Sequence, residues 1–113
     1  MGTPRPEITA MIARYCAQLE AMGIHVDRAI LFGSHARGEA KDGSDIDVLI
    51  VSSDFETLNT RERLEQLGTA AARLWQPIGA IACTPAELVH VEPATLLEEI
   101  LQTGVQISER RRQ

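Results

Sequence analysis

Two carboxylates, Asp45 and Asp47, stand one residue apart and follow the pair Gly33-Ser34 across ten residues, His35 to Ser44. The runs on either side, Ala29-Ile30-Leu31-Phe32 and Val48-Leu49-Ile50-Val51, are aliphatic and bounded by Gly, Ser and Asp, and read as two buried strands. Side chains alternate along a strand with a rise of ~3.3 Å, so Asp45 and Asp47 are expected on one face with their Cα atoms about 7 Å apart. Two carboxylates so placed repel unless a cation sits between them. A hard, oxygen-seeking Mg2+ or Mn2+ suits them, above all one that also takes oxygens from substrate phosphates. Gly33 permits close backbone approach, Ser34 offers a hydroxyl, and a helical turn after them would present free N–H groups. Arg37 adds a positive fork for the same phosphates. The chemistry indicated is the binding of a metal-bound nucleoside triphosphate; the competing use of these residues is a plain connection between two strands.

The elements that must hold these groups are legible around them. Ile8, Met11, Ile12, Tyr15, Leu19 and Met22 recur at three- and four-residue steps between Pro4, Pro6 and Gly23, which predicts an amphipathic first helix. Leu64, Leu67, Ala71 and Leu74 predict a second helix from about residue 57 to Trp75, closed by Pro77. Trp75 ends its apolar face and is expected in the core or an interface. Ile78 to Cys83 reads as a third strand. Thr84-Pro85-Ala86-Glu87 is a helix start with Thr84 as cap and Glu87 as its capping partner. Leu96, Leu97, Ile100 and Leu101 predict a last helix ending at Gly104, before a short apolar tail of Val105 and Ile107. This order suits an α/β (α+β) fold, a small mixed sheet with helices mainly on one face, in a single domain over residues 1–113.

Length and composition narrow the function. At 113 residues the chain can bury one core. Its net charge of −5 argues against direct nucleic-acid binding, which rests on Lys and Arg contacts to phosphates. The one basic run, Arg110 to Arg112, reads as a solvated tail. Cys16 and Cys83 suit buried apolar positions in a reducing cytoplasm, and His25 and His90 lack partners at metal-ligand spacing. His35, Glu39, Lys41 and Asp42 are expected to solvate the loop, although His35 and Lys41 are near enough in sequence to touch a nucleotide. No signal peptide is recognisable and no apolar run reaches the ~20 residues needed to cross a bilayer.

The string Phe32-Gly33-Ser34-His35-Ala36-Arg37-Gly38, followed by Ser44-Asp45-Ile46-Asp47-Val48, resembles the nucleotidyltransferase superfamily typified by DNA polymerase β, and in particular its minimal bacterial branch. That signature is Gly-Ser, ten residues, then Asp-x-Asp, and the spacing matches without adjustment. The resemblance implies transfer of a nucleoside monophosphate from a triphosphate, with ATP as substrate, onto a hydroxyl with release of pyrophosphate. It assigns metal binding and catalysis to Asp45 and Asp47, and nucleotide binding to Gly33, Ser34, Arg37 and Ser44. The cofactor implied is Mg2+ or Mn2+. Such chemistry is mostly positioning and charge neutralisation.

In related chains a third carboxylate lies on the strand after the long helix, and here Gly79 falls at that position. Glu87 is the nearest downstream acid and is better explained as a cap. Three readings stay open: catalysis with two carboxylates, a group supplied by a partner, or lost activity with nucleotide binding retained. Minimal members of the family are commonly paired with a helical HEPN toxin and act as antitoxins, some by transferring AMP to it. The resemblance therefore implies a HEPN-type protein partner and a cytoplasmic location, with a catalytically silent binding antitoxin as the alternative. Transfer to a small molecule, as in aminoglycoside nucleotidyltransferases, would call for a larger acceptor-binding domain. A second copy of the chain is a further potential partner.

Overall fold

The two apolar runs that flank the motif pair as an antiparallel hairpin in the computed structural model, which describes residues 4–41 and 43–109. Strand β1 (Arg28–Phe32) runs against β2 (Ile46–Val51), with Ala29 opposite Ile50 and Phe32 opposite Asp47. Helix α1 (Pro6–Ala21) precedes them, and a single helical turn, α2 (Ser34–Arg37), begins the connection between them. After β2 come a 3-10 turn (Ser53–Thr57), α3 (Thr60–Leu74), β3 (Ile78–Cys83), α4 (Pro85–Val89), α5 (Leu96–Thr103) and β4 (Val105–Glu109). The sheet order is β3-β2-β1-β4, with β3 parallel to β2 and the other neighbours antiparallel.

Two boundaries differ from the sequence reading. The second helix starts at Thr60, not near residue 57, because Asn59 caps it: its side chain accepts from Glu62 N while the Glu62 carboxylate accepts from Asn59 N. Residues 53–57 are taken up by the 3-10 turn, capped in turn by Ser52. The apolar tail is a fourth strand, since Val105 and Gln106 pair with Leu31 and Ile30. Gly104 makes this possible, because a Cβ there would meet Ile100 O and Ile30 Cγ2 at 2.5 Å. The basic run Arg110 to Arg112 and the loop residue Asp42 lie outside the described residues.

Alternation along the strands sends side chains to two layers. Ala29, Leu31, Val48 and Ile50 meet Ile12, Tyr15 and Leu19 of α1 and Leu67 and Ala70 of α3. Ile30, Leu49, Val51 and Cys83 meet Ile100 of α5 on the opposite face. The two long helices thus share one face, and the short α5 covers part of the other, the face that also carries Asp47. Cys16 and Cys83 are both buried and free, as their apolar reading expects, and burial pushes each thiol up to about 11. No helix of the described residues is long and apolar enough to cross a membrane.

Tyr15 ties the two long helices, its hydroxyl donating to Leu67 O at 2.9 Å with the side chain fully buried. Tyr15→Phe removes that bond while keeping the ring, so urea unfolding should show a loss of about 1 kcal/mol. An unchanged midpoint would mean that the bond contributes nothing to holding α1 on α3.

Candidate functional site

Asp47 is the second residue of β2 and partly buried, while Asp45 immediately precedes the strand and is exposed. The β1–β2 register sets Phe32 opposite Asp47, so the chain leaving β1 turns beside the Asp47 carboxylate. Gly33 makes that turn at φ 75°, ψ −155°, a conformation essentially reserved for glycine. A Cβ at Gly33 would collide with Asp47 Oδ2. The glycine is therefore required twice, once by its backbone and once by the acid it faces. Ser34 opens α2, whose turn closes through Ala36 N and Arg37 N to Gly33 O, and Gly38 ends it at φ 73°.

The other motif residues are held within the loop. His35 Nε2 lies 3.2 Å from Ser44 O and bridges the start of the connection to its end. Ser44 Oγ accepts from Lys41 N at 3.0 Å, so its described bond supports the loop rather than facing Ser34. Arg37 donates from Nε to Glu39 Oε1 at 2.8 Å in an exposed pair, and that carboxylate holds the guanidinium above its ordinary range. Arg37 still acts on Asp47 electrostatically, although Glu39 is its bonded partner. The sequence reads His35 as a surface or loop histidine near enough to touch a nucleotide and does not show its bridging role; its position directly after the Gly-Ser turn is the one available signal.

The Asp47 carboxyl is pushed above its ordinary value, first by burial and then by the charge of Asp45, with His35 and Arg37 opposing the rise. Burial and the charge of Asp45 thus both disfavour ionisation of Asp47, and a divalent cation would offset them. Among the described residues no cluster of three or more His, Cys, Asp or Glu could hold a metal. The parallel register places Gly79 directly beside Asp47, and a Cβ at Gly79 would lie 3.3 Å from Asp47 Oδ1. Glu87 is not part of this cluster. It follows the far end of β3, completes a capping box with Thr84 and pairs with Arg63 at 3.3 Å. The Thr84 N–H is the main reason that its carboxyl lies below the usual range.

Trp75 differs from the core reading. It caps α3 in the left-handed conformation, φ 55°, with 90% of its surface exposed. Leu74, one residue earlier, does pack against the core.

Residues 10–100 match the family model of the nucleotidyltransferase domain. A Methanocaldococcus jannaschii protein, provisionally named a protein adenylyltransferase, is 28% identical over 82 residues, covering 73% of this chain and 79% of its own length. A solved structure from Sulfolobus solfataricus, provisionally named a nucleotidyltransferase, superposes with a TM-score of 0.59 at 20% identity, over 97% of this chain and 93% of that one. A crystal structure of a toxin–antitoxin with AMP-PNP superposes with a TM-score of 0.60 at 22% identity, over 86% of this chain and 73% of that one. The chain belongs to the nucleotidyltransferase domain family.

Two variants test the geometry. Gly33→Ala should lower stability by about 1–3 kcal/mol from its backbone conformation alone, with the contact to Asp47 adding to it, and a urea midpoint equal to the parent's would contradict the described turn. Asp47 binds its proton more tightly folded than unfolded, so stability falls as pH rises from the ordinary carboxylate range through its raised value. Asp47→Asn should therefore raise the Tm by about 2–4 °C at pH 7 in chelator, and leave it unchanged at a pH where both forms are protonated. A lower Tm at pH 7 would show that the ionised carboxylate is stabilised rather than strained.

Proposed function

We propose that this nucleotidyltransferase-family chain transfers AMP from ATP to a hydroxyl of a partner protein and acts as the antitoxin of a HEPN-type toxin. The observation that carries the transfer reading is the fusion of Asp47 with Gly33: the paired acids and the Gly-Ser turn form one continuous edge, at the end of β1 and β2. The M. jannaschii relative's name supports a protein as acceptor, and the toxin–antitoxin structure with AMP-PNP supports a nucleotide-using pair.

In this reading Asp45 and Asp47 hold Mg2+ or Mn2+, an assignment supported by the burial of Asp47 and the like charge of Asp45 beside it, which together raise the Asp47 carboxyl. The cation, when bound, neutralises the phosphates and stabilises charge on the attacking and leaving oxygens. Gly33 brings backbone close to the β- and γ-phosphates, and Ser34 orients them through its hydroxyl and N–H. Arg37 approaches the triphosphate by exchanging Glu39 for a phosphate, a swap that an exposed pair permits at low cost. Ser44 holds the loop that sets the Asp45 backbone, through Lys41 N and His35. A base for the acceptor hydroxyl comes from the Asp pair or from the partner.

One observation favours a second reading, a weak or silent enzyme that neutralises its partner by binding. Gly79 lies beside Asp47 in the parallel register, and if the third carboxylate that the resemblance implies belongs there, a glycine supplies no side-chain oxygen for it. The two readings part on activity alone.

Label transfer from α-labelled ATP with Mn2+, in an extract of the source organism, should mark a protein with the parent chain and not with Asp45→Ala/Asp47→Ala. If ATP binds and no protein is marked, the binding reading stands. Gly79→Asp should then raise transfer at least tenfold, since the new carboxylate would face Asp47 from the adjacent strand. Unchanged or lower transfer would remove position 79 from the account of activity.

A further inference from the structure

The face that carries Asp47 and Gly79 continues along the sheet as an apolar groove. Residues 47, 49 and 51 of β2 and 79, 81 and 83 of β3 share that face by alternation. Beyond the carboxylate pair the floor becomes Leu49, Ile81 and Cys83, and α5 walls it with Leu96, Leu97 and Ile100. The groove encloses about 370 Å³. Its polar neighbours are already bonded: Glu87 to Thr84 and Arg63, and Thr95 to Glu92 O and Glu98 N. It therefore offers few groups to read a nucleobase and suits aliphatic or aromatic side chains. Its outer side is β3, a sheet edge bonded only to β2 and holding no charged residue over Ile78–Cys83. Leu96, 55% exposed, opens the apolar lining to solvent.

Two further facts fix the occupant. The segment that walls the groove, residues 84–103, holds Glu87, Glu92, Glu98 and Glu99 and no Lys or Arg, and Arg63 from α3 pairs with Glu87 alone among these four in the described ion pairs, so the surround keeps a net negative charge. The sheet order is the other. In that reading the pyrophosphate would leave over the turn after β1 and the phosphorus would react over Asp47, at the start of β2, and Asp45 just before it, so in-line displacement would bring the acceptor from the β3 side. That is where the groove and the bare edge lie, with Gly79 between the groove and Asp47.

We propose that this groove docks the acceptor, an amphipathic protein segment whose apolar face fills it, whose Lys and Arg residues meet the acidic surround, and whose hydroxyl is thereby delivered past Gly79. The inference rests on the nucleotidyl-transfer reading for the direction of entry. Charge opposition sets the encounter and orientation, and the apolar floor supplies the buried contact.

The test compares three full-length chains, the parent, Leu96→Lys and Asp45→Ala/Asp47→Ala, for ATP binding with Mn2+ and for label transfer in extract. The groove variant should bind ATP within twofold of the parent and melt at the parent's temperature, yet mark the acceptor at least tenfold less. Equal marking would overturn the proposal, and so would loss of ATP binding, which would give the groove to the nucleotide. If the parent marks nothing, the transfer reading fails and hydrogen exchange decides the groove separately. A model amphipathic Leu/Lys peptide should then slow exchange at residues 79–83 in the parent and not in the groove variant, while a Leu/Glu peptide should do neither. No protection by the Leu/Lys peptide, or protection appearing with chain concentration alone as for a second copy, would overturn docking of a basic segment.

Discussion

The carboxylate of Asp47 lies where a side chain at position 33 would be, and the architecture around the candidate site follows from that contact. The antiparallel register with Phe32 opposite Asp47 brings the two positions together. Only a residue without a Cβ can leave β1 there, and only in a conformation that other residues avoid. Once Gly33 is fixed, the following residues have room for one helical turn before the chain must return to β2. The return is free to be irregular because His35 and Ser44 bridge its two ends.

The electrostatics of the acids divide along the same line. Glu62, Glu87 and Glu98 sit in first helical turns and accept backbone N–H groups, which makes their charges part of the fold. Among the described residues no hydrogen bond goes to the carboxylate of Asp45 or Asp47, and burial together with the Asp45 charge raises the Asp47 carboxyl above its ordinary value. Arg37, the nearest guanidinium, has its own partner in Glu39. The chain thus ties its capping acids into the fold by hydrogen bonds and leaves the motif carboxylates without one, with only the more distant charges of His35 and Arg37 acting on Asp47.

Much of this was legible in the sequence because the signals were local. Four-residue aliphatic runs marked β1 and β2, three- and four-residue steps marked α1 and α3, and Thr84 with Glu87 announced a cap that the structure contains. What escaped depended on distant contacts. Val105-Gln106-Ile107 alternates over too few residues to signal a strand, and it becomes one because β1 offers an edge and Gly104 lets the chain pass Ile30. The 3-10 turn borrowed residues from the expected start of α3, and the stronger Asn59 capping box decided the boundary. Trp75 followed the apolar face of α3 in sequence, but the left-handed turn at its own position carries it off that face into solvent. At the site, the motif fixed which residues gather. It did not reveal that Arg37 would pair with Glu39, whereas Gly79, expected on the neighbouring strand, stands in register with Asp47.

Paramagnetic broadening by Mn2+ is the most direct test that these two acids and the Gly-Ser turn form one metal–nucleotide site. With ATP present, substoichiometric Mn2+ should broaden the amide resonances of Gly33, Ser34, Asp45 and Asp47 first, and the effect should vanish on adding excess chelator. Broadening centred instead on the acids of α5, Glu98 and Glu99, or spread without preference over the surface, would contradict the account.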